Sequence, residues 1–358
     1  MLVFWGADPV AIPAFLPQLR AAMPDVSLVG CSTAGEIESL GVREGSVVLT
    51  AVHFDASTFS VVETDIGGVE DSAHAGRRLG AQLPRDGLRG VMLFAPGVDI
   101  NGAAMLEAMA EGLPDGIPIS GGLAADNGAF KLTCVLGPSG CSTTKLVAIG
   151  FYGDQLQFGA GCRGGWSAFG PTRKITRAEG SRLYELDGQP ALALYKNYLG
   201  SYASELPAAG LLFPLEMLDD QKKSIGLLRT ILGIDEATQS LILAGTVAQG
   251  AYLRLMHATT DALVDGAERA AQKCASTTSA KSGLALLVSC VGRRIVMRDR
   301  VDEEVIAVAE QLGTGFTLAG FYSNGEISPL YGLSDCKLHN QTMTIALLSE
   351  SCTDASAA

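Results

Sequence analysis

The chain has 358 residues, of which 47% are hydrophobic and 18% charged, and its net charge is −12. That composition excludes a disordered chain and supplies core for about two domains. The acidic balance, without a block of five like charges, argues against nucleic-acid binding, and no apolar run nears the roughly 18 residues of a membrane helix.

Met1–Trp5 is too short and uncharged for a signal peptide, so a soluble cytoplasmic protein is expected. Leu2–Trp5 reads as a buried strand followed by Asp8. Ile12, Phe15, Leu16, Leu19 and Met23 then fall at helical spacing, with Pro17 as a kink. Val26–Val29 is the next strand and Val47–Phe54 a longer one, with Ser57–Glu63 as a partner. Glu70–Leu83 is helical. Val91–Phe94 is a strand with Asp99 and Asn101 just beyond it. Met105, Leu106 and Met109 share a helical face, and Ile117–Ile119 is a strand ending in Gly121–Gly122. Lys131–Leu136, Leu146–Tyr152 and Gln155–Ala160 read as strands.

Gly161–Pro171 is glycine-rich around Trp166, Ile175–Leu186 is mixed, and Ala191–Tyr198 is helical. The Gly200–Pro207 stretch reads as a break between halves. Ile225–Leu232, Leu241–Val247 and Tyr252–Met256 are strands. Leu263, Ala267, Ala270, Ala271 and Cys274 mark a helix capped at Thr259 or Thr260. Leu284–Ser289 is a strand, Val291–Arg294 a loop, and Val305, Val308, Ala309 and Leu312 the apolar face of a helix. Gly315–Ala319 and Met343–Leu348 are strands, and Ser349–Ala358 is a frayed polar tail.

One pattern stands twice. Gly30-Cys31-Ser32-Thr33-Ala34-Gly35-Glu36-Ile37 returns as Gly320-Phe321-Tyr322-Ser323-Asn324-Gly325-Glu326-Ile327. Each copy follows a helix and a short apolar run, and the strand–loop–helix–strand unit occurs three times. These patterns predict two α/β halves with mixed sheets and approximate internal pseudo-symmetry.

GCSTAGEI at 30–37, YELDG at 184–188 with Ala193-Leu194-Tyr195, and the 320–327 copy followed by LHNQT at 338–342 together resemble the FIST sensory-domain family. The resemblance implies an N-terminal region over 1–188, a C-terminal region over 189–350 and a flexible tail over 351–358. It implies an intracellular sensor that binds a small ligand such as an amino acid. No kinase, cyclase or methyl-accepting segment is attached, so the expected readout is a separate partner. Some stand-alone bacterial relatives are described as haem proteins that sense nitric oxide and regulate a histidine kinase, which implies a haem b alternative. A homo-oligomer is compatible with either.

Polar groups at strand ends are where open α/β sheets hold ligands. Cys31, Ser32, Thr33, Glu36, Asp99, Gly121, Gly122, Tyr322, Ser323, Asn324 and Glu326 are therefore the candidate ligand contacts. Glu36 and Glu326 have two readings: contact with a ligand amine, or acceptance of hydrogen bonds within their own turns. Asp99 and Asn101 read equally as helix caps. For haem, His74, with Arg77 and Arg78 one turn on, and His257, between a strand and a helix, are the candidate axial ligands. A third reading is an enzyme using Glu36 or Glu326 as general base. It has no paired nucleophile or metal cluster in the sequence. The eight cysteines contain no CxxC pair and read as reduced thiols, and Gly159–Gly164 satisfies GxGxxG without a helix after it.

Overall fold

Three parallel strand pairs organise the protein in the computed structural model, which describes residues 1–6, 12–39, 41–333 and 335–351. Leu2–Trp5 pairs with Val29–Ser32, Leu88–Ala95 with Ile119–Leu123, and Gly283–Cys290 with Phe316–Ser323. A parallel pair requires a crossover. Here the crossovers are the helices Ile12–Ala22, Gly102–Ala110, and Val291–Met297 followed by Asp302–Leu312. The chain thus adopts the expected α/β fold, with mixed sheets on repeated strand–loop–helix–strand units.

Each unit passes its following strand to a neighbour. Glu36–Glu38, after the first unit, pairs with Phe316–Ser323 of the third. Gly325–Pro329, after the third, pairs with Ile119–Leu123 of the second. Val135–Gly137, after the second, pairs with Val29–Ser32 of the first. The exchange closes a ring of three sheets. Antiparallel strands flank the units on their other side: Val47–Thr50, Lys145–Tyr152 and Met343–Glu350.

The inner faces of the three sheets meet in one core. Phe4, Phe94 and Phe321, one from each unit, contact one another with ring centroids 4.8, 5.9 and 6.1 Å apart. Space for Phe321 comes from Gly122, where a β-carbon would lie 3.3 Å from Phe321 Cζ and 2.8 Å from Val288 Cγ1. Truncating such a phenylalanine to alanine typically costs about 3–5 kcal/mol. The outer faces carry separate apolar clusters under the crossover helices, for example Leu16 and Leu19 on Trp5, and Met105 and Met109 on Leu93.

A further antiparallel sheet of eight strands stands beside the ring. It takes Ser167–Glu179 and Arg182–Leu186 from one side of residue 188, and Gln189–Pro190, Leu215–Leu218, Ser224–Arg229, Ile231–Asp235, Ser240–Leu243 and Tyr252–His257 from the other. Helix Ala191–Leu199 closes its core with Leu192, Tyr195 and Leu199.

Some local expectations change. Val291–Arg294 opens a helix instead of a loop, because Arg293 turns inward to pair with the buried Glu304 at 2.6 Å. The strand from Val47 ends at Thr50, short of Phe54. The last strand runs to Glu350, into the stretch expected to fray, because Glu350 accepts from the backbone of Asp55, Ala56 and Ser57. Asp8 and residues 352–358 of the tail lie outside the described residues. Among the described residues no helix is long and apolar enough to cross a membrane.

Candidate functional site

The two Gly-Glu carboxylates are fully buried and equivalently held. Glu36 Oε1 accepts from Thr33 Oγ1, while its Oε2 accepts from Ser46 N at 3.1 Å and Ser46 Oγ at 2.6 Å. Glu326 Oε1 accepts from Ser323 Oγ at 3.1 Å, while its Oε2 accepts from Thr342 N at 3.0 Å and Thr342 Oγ1 at 2.8 Å. The hydroxyl three residues upstream closes the turn. The Ser or Thr pins the start of the antiparallel strand that follows. A carboxylate offers about four acceptor positions, and three are used in each case. Burial pushes the Glu326 carboxyl up to about 7, against the Thr342 and Ser323 hydrogen bonds that lower it. Neither carboxylate is open to a ligand amine or a substrate proton.

Most of the other expected contacts also turn inward. Cys31 sits in the central core. Ser32 exchanges bonds with Cys134, its N donating to Cys134 O and its Oγ accepting from Cys134 N, both at 2.9 Å. Gly121 and Gly122 lie mid-sheet opposite Ile327 and Glu326. Tyr322 donates to Glu304, which also accepts from Ser289 and Arg293 in a buried cluster. These groups are enclosed because each signature strand packs one face on the shared core and the other under helices.

Asp99 and Asn324 do come together. They line a cleft of about 270 Å³ at the carboxyl end of Leu88–Ala95, between the ring and the eight-stranded sheet. Asp99 is exposed and adopts a left-handed φ of 54°. Capping of helix Gly102–Ala110 falls to Asn101 instead, whose Oδ1 accepts from Ala104 N at 3.1 Å. Asn324 is 8% exposed and donates from Nδ2 to Gly97 O at 3.3 Å, but its Oδ1 has no hydrogen-bond partner. Asn340, 2% exposed, lines the same cleft and also leaves its Oδ1 unpartnered.

Leu232, Ile242, Gly245 and Thr246 form the opposite wall. Arg229 stands directly behind Gly245, its Nε 2.9 Å from where a β-carbon there would lie. Its guanidinium is buried and donates only to the carbonyls of Thr246 and Leu228, so burial lowers its pKa to about 10. Among the described residues no carboxylate pairs with it. The cleft therefore offers two orphan amide carbonyls and one exposed carboxylate, with the Arg229 guanidinium buried behind its Gly245 wall.

Asn340 and Arg229 escaped the sequence reading. Asn340 did fall within the LHNQT segment, beside His339, whose Nε2 meets Ser328 O on the paired strand Gly325–Pro329 at 2.9 Å.

The haem candidates do not converge on a slot. His74 is exposed on helix Ser72–Gly80, and His257 is half-buried, edge-on to Phe169 with centroids 5.7 Å apart. Neither lines the Asp99 cleft. A haem needs an axial nitrogen facing a deep apolar cavity, and these two imidazoles face none among the described clefts.

Comparison with known proteins places the chain in context. A FIST N domain model matches residues 1–189 and a FIST C domain model matches residues 191–329. An uncharacterized protein of Methanocaldococcus jannaschii is 26% identical over 203 residues, covering 53% of this chain and 38% of that protein. One from Mycobacterium bovis is 27% identical over 180 residues, covering 48% and 46% respectively. Another, from Mycobacterium tuberculosis, is 28% identical over 194 residues, covering 52% and 49%. The chain spans less than half the length of each of these relatives.

Proposed function

The chain belongs to the FIST family of small-ligand sensory domains, and on that premise we propose that it senses an amino acid or similar small polar metabolite in the Asp99 cleft and signals to a separate protein. The observation that carries this reading is the pair of buried, unpartnered amide oxygens of Asn324 and Asn340. A buried acceptor without a donor costs about 1–3 kcal/mol, so a donor-bearing ligand recovers that energy. An ammonium group supplies donors to both oxygens and to Asp99. A carboxylate on the same ligand is favoured by the positive field of Arg229 behind Gly245.

The cleft walls come from two bodies, the ring and the eight-stranded sheet. A ligand that touches both favours their closed arrangement over others, which is the differential affinity a sensor needs.

A thermal-shift screen of amino acids followed by calorimetric titration tests the proposal. Asn340→Ala should weaken binding of the best ligand about 10- to 100-fold, the loss of one good hydrogen bond to a charged donor. The melting temperature of the unliganded variant should stay close to that of the parent, because the Asn340 oxygen has no partner to lose. Equal affinity in parent and variant would remove Asn340 from the site, and the absence of any amino-acid ligand would overturn the ligand class.

A further inference from the structure

The hairpin Val135–Gly137/Gly140–Ser142 carries a feature that the ligand cleft does not use. Cys134, just before its first strand, and Cys141, in its second, hold their sulfurs 2.8 Å apart. A disulfide bond is about 2.05 Å long, so an approach of under an ångström separates the dithiol from the disulfide. Cys141 is partly exposed and Cys134 is buried just behind it. Arg20, on helix Ile12–Ala22, donates to Gly137 O at 3.2 Å and Pro138 O at 3.0 Å and so fixes the turn between them.

The remaining described cysteines, Cys31, Cys162, Cys274, Cys290 and Cys336, are buried, and burial raises each thiol above its ordinary pKa. Cys134 shifts the other way. The Cys141 thiol and the backbone N–H groups of Val135 and Ser142 favour its thiolate against its burial, while the same sulfur contact and burial push Cys141 up. A thiolate is the reactive form toward oxidants.

From this geometry we infer that Cys134 and Cys141 form a reversible thiol–disulfide site that reacts with small hydroperoxides. The Cys134 thiolate attacks one oxygen of hydrogen peroxide. An S–O bond forms, the O–O bond breaks, and the departing hydroxide takes up a proton to become water. Cys141 then loses its proton and attacks the sulfenic sulfur of Cys134. The S–S bond forms, the S–O bond breaks, and a second water leaves. Two thiols give up two electrons in all, and one peroxide becomes two waters. A small dithiol returns the pair to the reduced state by exchange.

The site has a short route to the cleft. Thr133, the residue before Cys134, accepts from Gly97 N at 2.9 Å through its Oγ1, and Gly97 O accepts from Asn324 Nδ2.

The test treats the full chain with graded hydrogen peroxide, blocks free thiols by alkylation and maps the segment 132–145 by mass spectrometry without reduction. The expected product is that segment, two hydrogens lighter and unalkylated at both cysteines, restored in full by dithiothreitol. In Cys141→Ser, Cys134 should stop at the sulfenic acid, which dimedone captures. In Cys134→Ser, Cys141 should remain unlabelled by dimedone. The inference is overturned if Cys134 and Cys141 alkylate after peroxide as completely as before it. It is equally overturned if Cys134→Ser traps as much dimedone at Cys141 as Cys141→Ser does at Cys134.

Discussion

At the scale of single residues, the carboxylates that stand out in the sequence are those most tightly enclosed by the fold. Glu326 shows what enclosure costs. Its carboxyl is pushed up to about 7 by burial, so the folded protein holds this proton where an unfolded chain has released it. The stability contributed by the protonated form is fully present below the ordinary glutamate value of roughly 4.3 and is lost as pH rises to about 7, with each pKa unit worth about 1.4 kcal/mol. Glu326→Gln removes the titration. The stability of the variant relative to the parent should therefore rise by about 3 kcal/mol between pH 5 and pH 8. The buried His339 titrates with the opposite sign, its pKa lowered to about 4, but it is common to both proteins and cancels in the difference. Urea unfolding of the two proteins at both pH values measures this. A pH-independent difference would show that Glu326 is ionised throughout the range and that its three hydrogen bonds outweigh burial.

At the scale of elements, the three parallel strand pairs share one device. Gly30, Gly121 and Gly320 occupy the same register position, and a β-carbon on them would lie 1.8, 2.0 and 1.8 Å from the carbonyl oxygens of Val3, Leu93 and Leu287. Any side chain there forces the paired strands apart. Gly30→Ala, Gly121→Ala and Gly320→Ala should each cost about 3 kcal/mol or more, as backbone overpacking does. Gly121→Ala should cost most, since its φ of 139° also excludes an L side chain. Chemical denaturation of the three variants ranks them, and a loss under about 1 kcal/mol at any position would show that the sheets yield locally. These glycines explain why the repeat was legible in the sequence at Gly30 and Gly320. The units themselves were legible because strand and helix periods depend on neighbours along the chain. The exchange of Glu36–Glu38, Val135–Gly137 and Gly325–Pro329 between sheets was not, since pairing of residues such as Phe321 with Glu36 leaves no local trace. The second unit lacks the Gly-Glu-Ile signature for a further reason. Asp126 replaces the turn glycine there and accepts from the N–H groups of Phe130, Lys131 and Leu132, spacing out the strand that follows. The site followed the same rule. Asp99 was visible as a polar residue after a strand, whereas the orphan oxygen of Asn340 exists only once the fold has withheld every donor from it.

At the scale of the whole molecule, the cleft is the place where the ring and the eight-stranded sheet can be made to act together. Its ring wall is built from Gly97, Asp99, Asn324 and Asn340, and its other wall from Leu232 and Ile242–Thr246. Ligand energy is shared between the walls only if one molecule reaches both. At a hundred times its dissociation constant, a ligand adds about 2.7 kcal/mol to the stability of the form that binds it. If that form is the closed arrangement, segments on both sides should open less often by about the same factor. Hydrogen exchange read by mass spectrometry should show slower exchange on ligand addition in the Gly97–Asn101 loop and in Ile242–Thr246 together. The edge strand Val47–Thr50, which lies in a separate sheet, should be unchanged. Asn340→Ala should need proportionally more ligand for the same protection on both walls, because it weakens binding without altering the connection between them. Protection confined to the Gly97–Asn101 loop would mean that the ligand sits on the ring alone, and the eight-stranded sheet would then have no part in sensing.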